Sequence, residues 1–229
     1  MKHVLITGAD RGIGFALAKI YAENNYVVYA GQFMPDWPAL SELKQTFPET
    51  LHIIPMNVGS DESVKEAFTL VSSKTDRLDV LVNCAGIHSS TDDREHFLNI
   101  FQVNTLGALR VTEAFLPLMK NGDKRICTFS SEAGIISLAT RTGEFAYTSS
   151  KAALNIASQM LFQKLRPEGY TFRLYHPGWV RSYMSGQKAT QGHFEPEETA
   201  QIAYEQFTGD VPCEDVLLMQ DVYHQFWPF

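Results

Sequence analysis

Short runs of β-branched and other apolar residues alternate along the chain with longer stretches of helical period, and this alternation constrains the fold more than any other feature. The runs HVLITG (3–8), YVVYAG (26–31), LHIIPM (51–56), LDVLVNCAG (78–86), KRICTFSS (124–131) and TFRLYHPG (171–178) have strand character, and VLLMQ (216–220) offers a seventh. Between them GFALAKIYAEN, SDESVKEAFTLVSSK, NIFQVNTLGALRVTEAFLPLM and AYTSSKAALNIASQMLFQKL place apolar residues three and four apart, the spacing that gives a helix one apolar face. Several strand runs are apolar nearly throughout, as parallel strands are when helices cover both faces of their sheet. The expectation is an α/β chain folded as a doubly wound parallel sheet of about seven strands flanked by helices, with residues 1–229 in one domain. The polar, turn-rich stretch SYMSGQKATQGHFEPEE (182–198) is expected to be a loop covering the substrate.

Doubly wound sheets bind ligands at the carboxyl ends of their strands, near the point where strand order reverses. The residues that close each run therefore carry the functional signal. The first run closes in TGADRGIG, with Thr7, Gly8, Arg11, Gly12, Ile13 and Gly14. Glycines there let the chain turn sharply and approach a pyrophosphate, while the next helix aims its N–H groups at the negative charge. Strand, glycine loop and helix in that order point to dinucleotide binding. An acid closing the second strand would bond the adenosine ribose of NAD, but this run ends YAGQFMPDW, with Gly31 and Gln32 in its place. Arg11 can instead meet a 2′-phosphate through a charge-assisted contact. The balance favours NADP, with NAD possible if Gln32 or Asp36 reads a ribose hydroxyl. The fourth run closes in NCAG, Asn83 to Gly86, and the sixth leads into PGWVRS, Pro177 to Ser182.

Tyr147 and Lys151, four apart in EFAYTSSKAALN, share one helix face. Taken alone, the spacing favours a surface tyrosine beside a surface lysine. The formal charge of −7, without any Lys- or Arg-rich run, gives no attraction for nucleic acid. Cys84, Cys127 and Cys213 are widely spaced and odd in number, so neither a disulfide framework nor a metal site is expected. MKHVLITGAD enters a strand directly and has no secretory pattern, and no apolar stretch of about 18 residues is present to span a membrane. The expected location is cytoplasmic, with no membrane partner.

Together, TGADRGIG, NCAG, Asn104 in FQVNTLGA, Ser131 in TFSSEAG, Tyr147 and Lys151 in YTSSK, and PGWVRS resemble the short-chain dehydrogenase/reductase family, in order and approximate spacing over almost the whole chain. SKAALN, PGWV and the Trp227–Pro228 ending are similar to its small carbonyl-reductase and C-factor-like branch. The resemblance implies a Rossmann-type fold and an NADP(H)-dependent interconversion of a carbonyl and an alcohol. It implies Tyr147 as general acid/base, Ser131 as hydrogen-bond donor to the developing oxyanion, and Asn104 as holder of a water in a proton relay. Lys151 suits the nicotinamide ribose, and its ammonium, joined by the positive nicotinamide of the oxidised cofactor, is expected to lower the Tyr147 pKa from its usual value near 10. The resemblance also sets Asn83, Ala85 and Gly86 along the cofactor, Asn57 and Val58 near the adenine, and Pro177, Gly178, Val180 and Ser182 toward the nicotinamide. From Ser131 to Tyr147 is 16 positions, longer than the family's usual step. RTGE can absorb the surplus as loop, and Ser130 stays an alternative. His88 and His176 are given no catalytic role.

The implied partner is a small-molecule carbonyl or alcohol, in a pocket made partly apolar by Phe145, Trp179, Tyr183 and Met184, with a homodimer or homotetramer formed through the long helices. A catalytically weak dinucleotide sensor or signalling protein is the alternative, although a pure sensor needs only the glycine loop. An epimerase or dehydratase is disfavoured because the stretch after PGWVRS is short for a separate substrate domain.

Overall fold

A computed structural model describes residues 1–89, 93–184, 187–210 and 215–229. The strands β1 (His3–Ile6), β2 (Val27–Gln32), β3 (Leu51–Pro55), β4 (Val80–Asn83), β5 (Arg125–Phe129), β6 (Thr171–His176), β7 (Met219–Asp221) and β8 (Phe226–Trp227) form one sheet in the order β3-β2-β1-β4-β5-β6-β7-β8. All neighbours are parallel except β7 and β8. Strand order reverses between β1 and β4. The fold is thus the expected Rossmann-type doubly wound sheet.

The helices are α1 (Gly12–Glu23), α2 (Ala39–Thr46), α3 (Asp61–Ser72), α4 (Arg94–Phe101), α5 (Ala108–Met119), α6 (Phe145–Leu165) and α7 (Pro196–Thr208). They cover both faces of the sheet, which explains the uniformly apolar runs. In β1, Val4 and Ile6 join one core with Leu17, Tyr21, Leu40 and Phe207, whereas Leu5 joins the other with Val64, Phe115 and Phe162. Val80 and Val82 of β4 likewise face the first core, and Leu81 the second. Each fully buried side chain of this size contributes about 1.5–3 kcal/mol of hydrophobic stabilisation.

Most strands stop before their apolar runs do, because the closing residues form the turns of the site. β1 ends before Thr7 and Gly8, β5 before Ser130 and Ser131, and β6 before Pro177 and Gly178. The seventh strand starts at Met219 rather than Val216, and an eighth follows it in antiparallel sense. That hairpin is organised by Asp221, whose carboxylate accepts from Tyr223 N, Gln225 N and Trp227 Nε1 at 2.8–2.9 Å. One buried acid, with no hydrophobic period, thus sets the sheet edge. The stretch expected as one helix over 99–119 is instead α4 and α5 joined by a wider, π-type turn at Gln102–Gly107. Such widenings re-aim side chains at functional sites, and this one contains Asn104. Among the described residues no helix is long and apolar enough to cross a membrane.

Candidate active site

The reversal point is knitted by one hydroxyl and one glycine. Thr7 Oγ1 accepts from Cys84 N and Ala85 N, each at 3.0 Å, and donates to Val82 O at 3.4 Å. Gly8 follows at φ +65°, and a Cβ on it would lie 2.8 Å from Ala85 Cα, so glycine alone fits. A side chain at Gly14 would run into the Gly8 carbonyl, which is why α1 can start directly against the loop. Its N-cap, Arg11, is extended and makes no side-chain cap, and the first turn holds no acid. The leading N–H groups of α1 suit an anion. Ile13 packs against the α1 side of the core.

At the end of β2, Gln32 Nε2 is buried and has no partner among the described residues. A buried donor of this kind is costly unless a further oxygen meets it, and a ribose hydroxyl or phosphate oxygen fits that need. Arg11 lies over Trp37 and Tyr183, its Cζ 5.2 and 5.9 Å from their ring centroids. Sequence reasoning passed over Asp10. It is buried, and its Oδ1 accepts from Phe33 N at 2.9 Å and Met34 N at 2.7 Å, tying the loop after β2 to the glycine loop. Other expected cofactor residues have their side chains committed locally. Asn83 Nδ2 donates to Thr112 Oγ1 of α5 at 3.0 Å, Asn57 Oδ1 accepts from Gly59 N at 2.9 Å, and Val58 is buried with its carbonyl held by Arg110 at 2.6 Å.

Across the crevice, consecutive serines after β5 diverge. The Ser130 hydroxyl is buried and donates to Asn155 Oδ1 within α6. Ser131 hydrogen-bonds with the Tyr147 phenol and donates to Glu132 Oε2 at 2.5 Å. Neighbours in extended chain point to opposite sides, so it is Ser131 that reaches Tyr147. Glu144 opens α6 from a left-handed conformation at φ +60°, a strain of about 1–3 kcal/mol for a residue other than glycine. This start puts Tyr147 in the first turn and Lys151 one turn further on. Lys151 is buried, its Nζ donating to Phe129 O at 3.0 Å and lying 5.8 Å from the Tyr147 ring centroid.

Gly86 sits where a Cβ would be 3.5 Å from Asn104 Oδ1 and 4.0 Å from Lys151 Nζ, so these three residues meet. Asn104 accepts from Ile87 N at 2.8 Å and donates to Ile87 O at 2.9 Å and Ser150 Oγ at 3.1 Å. Both amide hydrogens are used, leaving one lone pair of Oδ1 for a water.

In the chain by itself the Tyr147 pKa is raised rather than lowered. Burial pushes the phenol up to about 12, outweighing the hydrogen bond with Ser131 that draws it down. Burial also lowers Lys151 to about 8, so part of its charge is lost just above neutrality, and its Nζ is turned to a carbonyl.

A ring of charge around this pair left no trace in the sequence spacing. Arg141 bridges Glu132 at 2.6 Å and Glu144 at 2.8 Å. His88 Nε2 lies 2.9 Å from Glu144, and its ring meets that of Tyr147 edge-on with centroids 5.0 Å apart. His176 Nε2 is 3.8 Å from Glu132. Burial pushes Glu132 up, but the Ser131 hydroxyl, His176, Arg141 and Ala133 N–H together hold its carboxyl below the usual range. Burial keeps His176 low.

After β6, Pro177 O accepts from Thr199 Oγ1 at 3.0 Å, Gly178 at φ +72° lies flat against Phe194, and Val180 pairs with Phe194. Arg181 and Lys188 both hold Glu195, the base of the expected covering loop. Ser182 Cβ is 3.9 Å from the place of a Gly12 Cβ, and Met184 Cε 3.0 Å from that of a Gly86 Cβ. Residues 185 and 186 of that loop lie outside the described residues, as does Cys213, and residues 196–198 are the first turn of α7. Phe145 and Trp179 are exposed.

A glycine loop at a sheet reversal, facing a Ser-Tyr-Lys cluster across one crevice, defines a dinucleotide-binding protein of the Rossmann type. Residues 2–192 match the family described as short chain dehydrogenase, and the chain belongs to that family of oxidoreductases. It is 32% identical over 203 residues to estradiol 17-beta-dehydrogenase 2 of Mus musculus, covering 86% of this chain and 52% of that protein. The chain therefore spans about half the length of that relative. It is 40% identical over 122 residues to C-signal of Myxococcus xanthus, covering 51% of this chain and 74% of C-signal. The NADPH-bound carbonyl reductase from chicken fatty liver shares the fold at a TM-score of 0.87 and 24% identity, covering 100% of this chain and 99% of that one.

Proposed function

We propose that the protein is an NADP(H)-dependent oxidoreductase that interconverts a carbonyl and an alcohol, with Tyr147 as general acid/base. The observation that carries this reading is the convergence of Ser131, Tyr147 and Lys151 with Gly86 at the reversal of the sheet. A bound nicotinamide cofactor supplies or accepts the hydride. The chain handles the proton and the charge. A carbonyl oxygen that becomes an alkoxide needs a proton, and a Tyr147 pKa of about 12 keeps that proton in place until an oxyanion forms beside it. Ser131 supplies a positioned hydroxyl that can turn its proton from Glu132 to the same oxygen as charge develops there, and Lys151 fixes the ribose end while its charge favours proton release in the oxidative direction.

For the choice of cofactor, Gln32 in place of an acid removes a repulsion from a 2′-phosphate, and Arg11 adds an attraction. The stretch Ser182–Met184, reaching from Gly12 to Gly86, acts as the covering segment. Phe145 and Trp179 give the mouth an apolar rim suited to a lipid-like, aromatic or small carbonyl compound. Exposed Leu98, Leu106, Ile156 and Met160 on α4, the π-type turn and α6 support a homodimer or homotetramer through these helices.

Tyr147→Phe is expected to abolish NADPH oxidation over a panel of carbonyl compounds while NADPH binding stays nearly intact. Retained turnover in that variant would sink the mechanism. The similarity to C-signal favours a second reading, a dinucleotide-binding signalling protein. Tight NADPH binding by the wild type, with no turnover on any carbonyl, would decide for it.

A further inference from the structure

Arg11 is gripped by two aromatic rings that come from different parts of the chain. Trp37 belongs to the loop after β2 and Tyr183 to the segment after β6, yet their rings meet edge-to-face with centroids 5.2 Å apart and both lie within 6 Å of the guanidinium carbon. Both loops are anchored. Trp37 N donates to Met34 O at 3.1 Å, and Asp10, next to Arg11, holds Phe33 N and Met34 N. Tyr183 lies between Ser182, beside Gly12, and Met184, beside Gly86.

An aromatic ring attracts a guanidinium through its face, while the five N–H donors lie in the guanidinium plane. An arginine held by ring faces rather than by an acceptor keeps its N–H donors available for an anion. Among the described residues no carboxylate pairs with Arg11, and the neighbouring Asp10 is occupied by two backbone N–H groups. The side chain is held in place without being neutralised.

We propose that Trp37 and Tyr183 form a clasp that positions Arg11 for the 2′-phosphate of NADP(H), so that cofactor discrimination depends on a residue from the substrate-side segment. This inference rests on the reading of Arg11 as the 2′-phosphate contact. Tyr183 and Trp37 are positioning residues. Through Ser182 and Met184, the clasp also links the phosphate end of the crevice to the Gly86–Lys151 end.

Equilibrium binding of 2′,5′-ADP and of 5′-AMP tests it, because the two ligands differ only in the 2′-phosphate. A cation–π contact of about 0.5–2 kcal/mol corresponds to a change of about 2- to 30-fold. Tyr183→Leu and Trp37→Ala are expected to weaken 2′,5′-ADP by that factor and leave 5′-AMP within about twofold, while Tyr183→Phe, which keeps the ring, behaves as wild type. Adding Tyr183→Leu to Arg11→Ala should cause no further loss of discrimination. Equal weakening of both ligands in Tyr183→Leu and Trp37→Ala would mean that the rings pack on the adenine or merely support the loop, and would overturn the clasp. No change in either ligand would overturn it as well. Loss of discrimination in Arg11→Ala without loss in the aromatic variants leaves the Arg11 reading standing and removes the clasp. Undiminished discrimination in Arg11→Ala removes the Arg11 reading itself. Melting temperatures for each variant identify a Trp37→Ala protein that fails to fold, in which case Tyr183→Leu decides.

Discussion

The two walls of the crevice are held by different physics. On the glycine-loop side, backbone meets backbone: Gly8 against Ala85, Gly14 against Gly8, with the buried Thr7 closing the β1–β4 seam by hydrogen bonds. On the reaction side, Tyr147 and Ser131 are framed by half-exposed charges, with Arg141 tying Glu132 to Glu144 across the stretch between the serine and the tyrosine. Steric contacts in a packed interior are unforgiving and insensitive to salt, whereas partly solvated ion pairs contribute little each and are screened. The first wall should therefore fail abruptly and the second gradually.

The abrupt case is Gly14→Ala. Its methyl group would occupy the space of the Gly8 carbonyl, and neither α1 nor the loop can retreat without opening the seam. The expected outcome is a loss of about 3 kcal/mol or more in urea denaturation, at the upper end of overpacking effects, together with loss of NADPH binding. A stable variant that binds normally would show that the first wall is softer than its geometry implies.

Next in size is the pair of serines, which sit on either side of the boundary between the walls. Ser131→Ala removes a donor beside Tyr147 and is expected to lower kcat by roughly 10²–10³ with little change in stability. Ser130→Ala breaks a buried hydrogen bond to Asn155 and is expected to reduce stability by about 1–3 kcal/mol while kcat stays within a few fold. The opposite pattern would exchange their roles.

The same contrast explains what could be read from the chain. Strand ends, the glycine loop and the Tyr147–Lys151 spacing are local patterns dictated by the backbone, so their places in the fold followed from the sequence. The ring of Arg141, Glu132, Glu144, His88 and His176 joins residues at unrelated spacings, and nothing in the sequence distinguishes Arg141 from a solvated arginine. The choice between Ser130 and Ser131 required the direction in which β5 ends. The eighth strand depends on the Asp221 carboxylate, and the π-type turn on one extra residue inside an otherwise helical period, a change that apolar spacing does not register. Most instructive is Tyr147. Residue spacing identifies the neighbouring ammonium, but only packing reveals the desolvation that raises the phenol.

Lys151 tests that desolvation directly. With its pKa lowered to about 8 from 10.5, the folded chain has released a proton that the unfolded chain still holds at pH values between these two. Stability assigned to this residue therefore rises with pH across that window. Lys151→Met removes the effect while the tyrosine and cysteine titrations remain common to both proteins. The difference in melting temperature, wild type minus variant, should grow in favour of the wild type from about pH 8 to pH 10 in the cofactor-free protein. A constant difference would mean that the lysine is better solvated than its burial suggests.

The smallest expected effect belongs to Arg141, and it separates the two walls most cleanly. Arg141→Met leaves Glu132 and Glu144 without their shared cation, close to Ser131 and Tyr147. Because the three side chains are partly solvated, global stability should change by no more than about 1 kcal/mol. Catalysis is more sensitive, since the left-handed Glu144 sets the start of α6 and Glu132 accepts from Ser131, so kcat/KM should fall about fivefold, the equivalent of about 1 kcal/mol in the barrier. Raising salt from about 0.05 to 0.5 M shortens the screening length from about 14 to about 4 Å and should bring the wild type down toward the variant, whose own activity changes little. Gly14→Ala offers no such convergence, because salt does not relieve a steric clash. If wild-type kcat/KM were indifferent to salt while Arg141→Met stayed impaired, the arginine would be acting through its packed stem, and the reaction-side wall would have to be counted with the steric one.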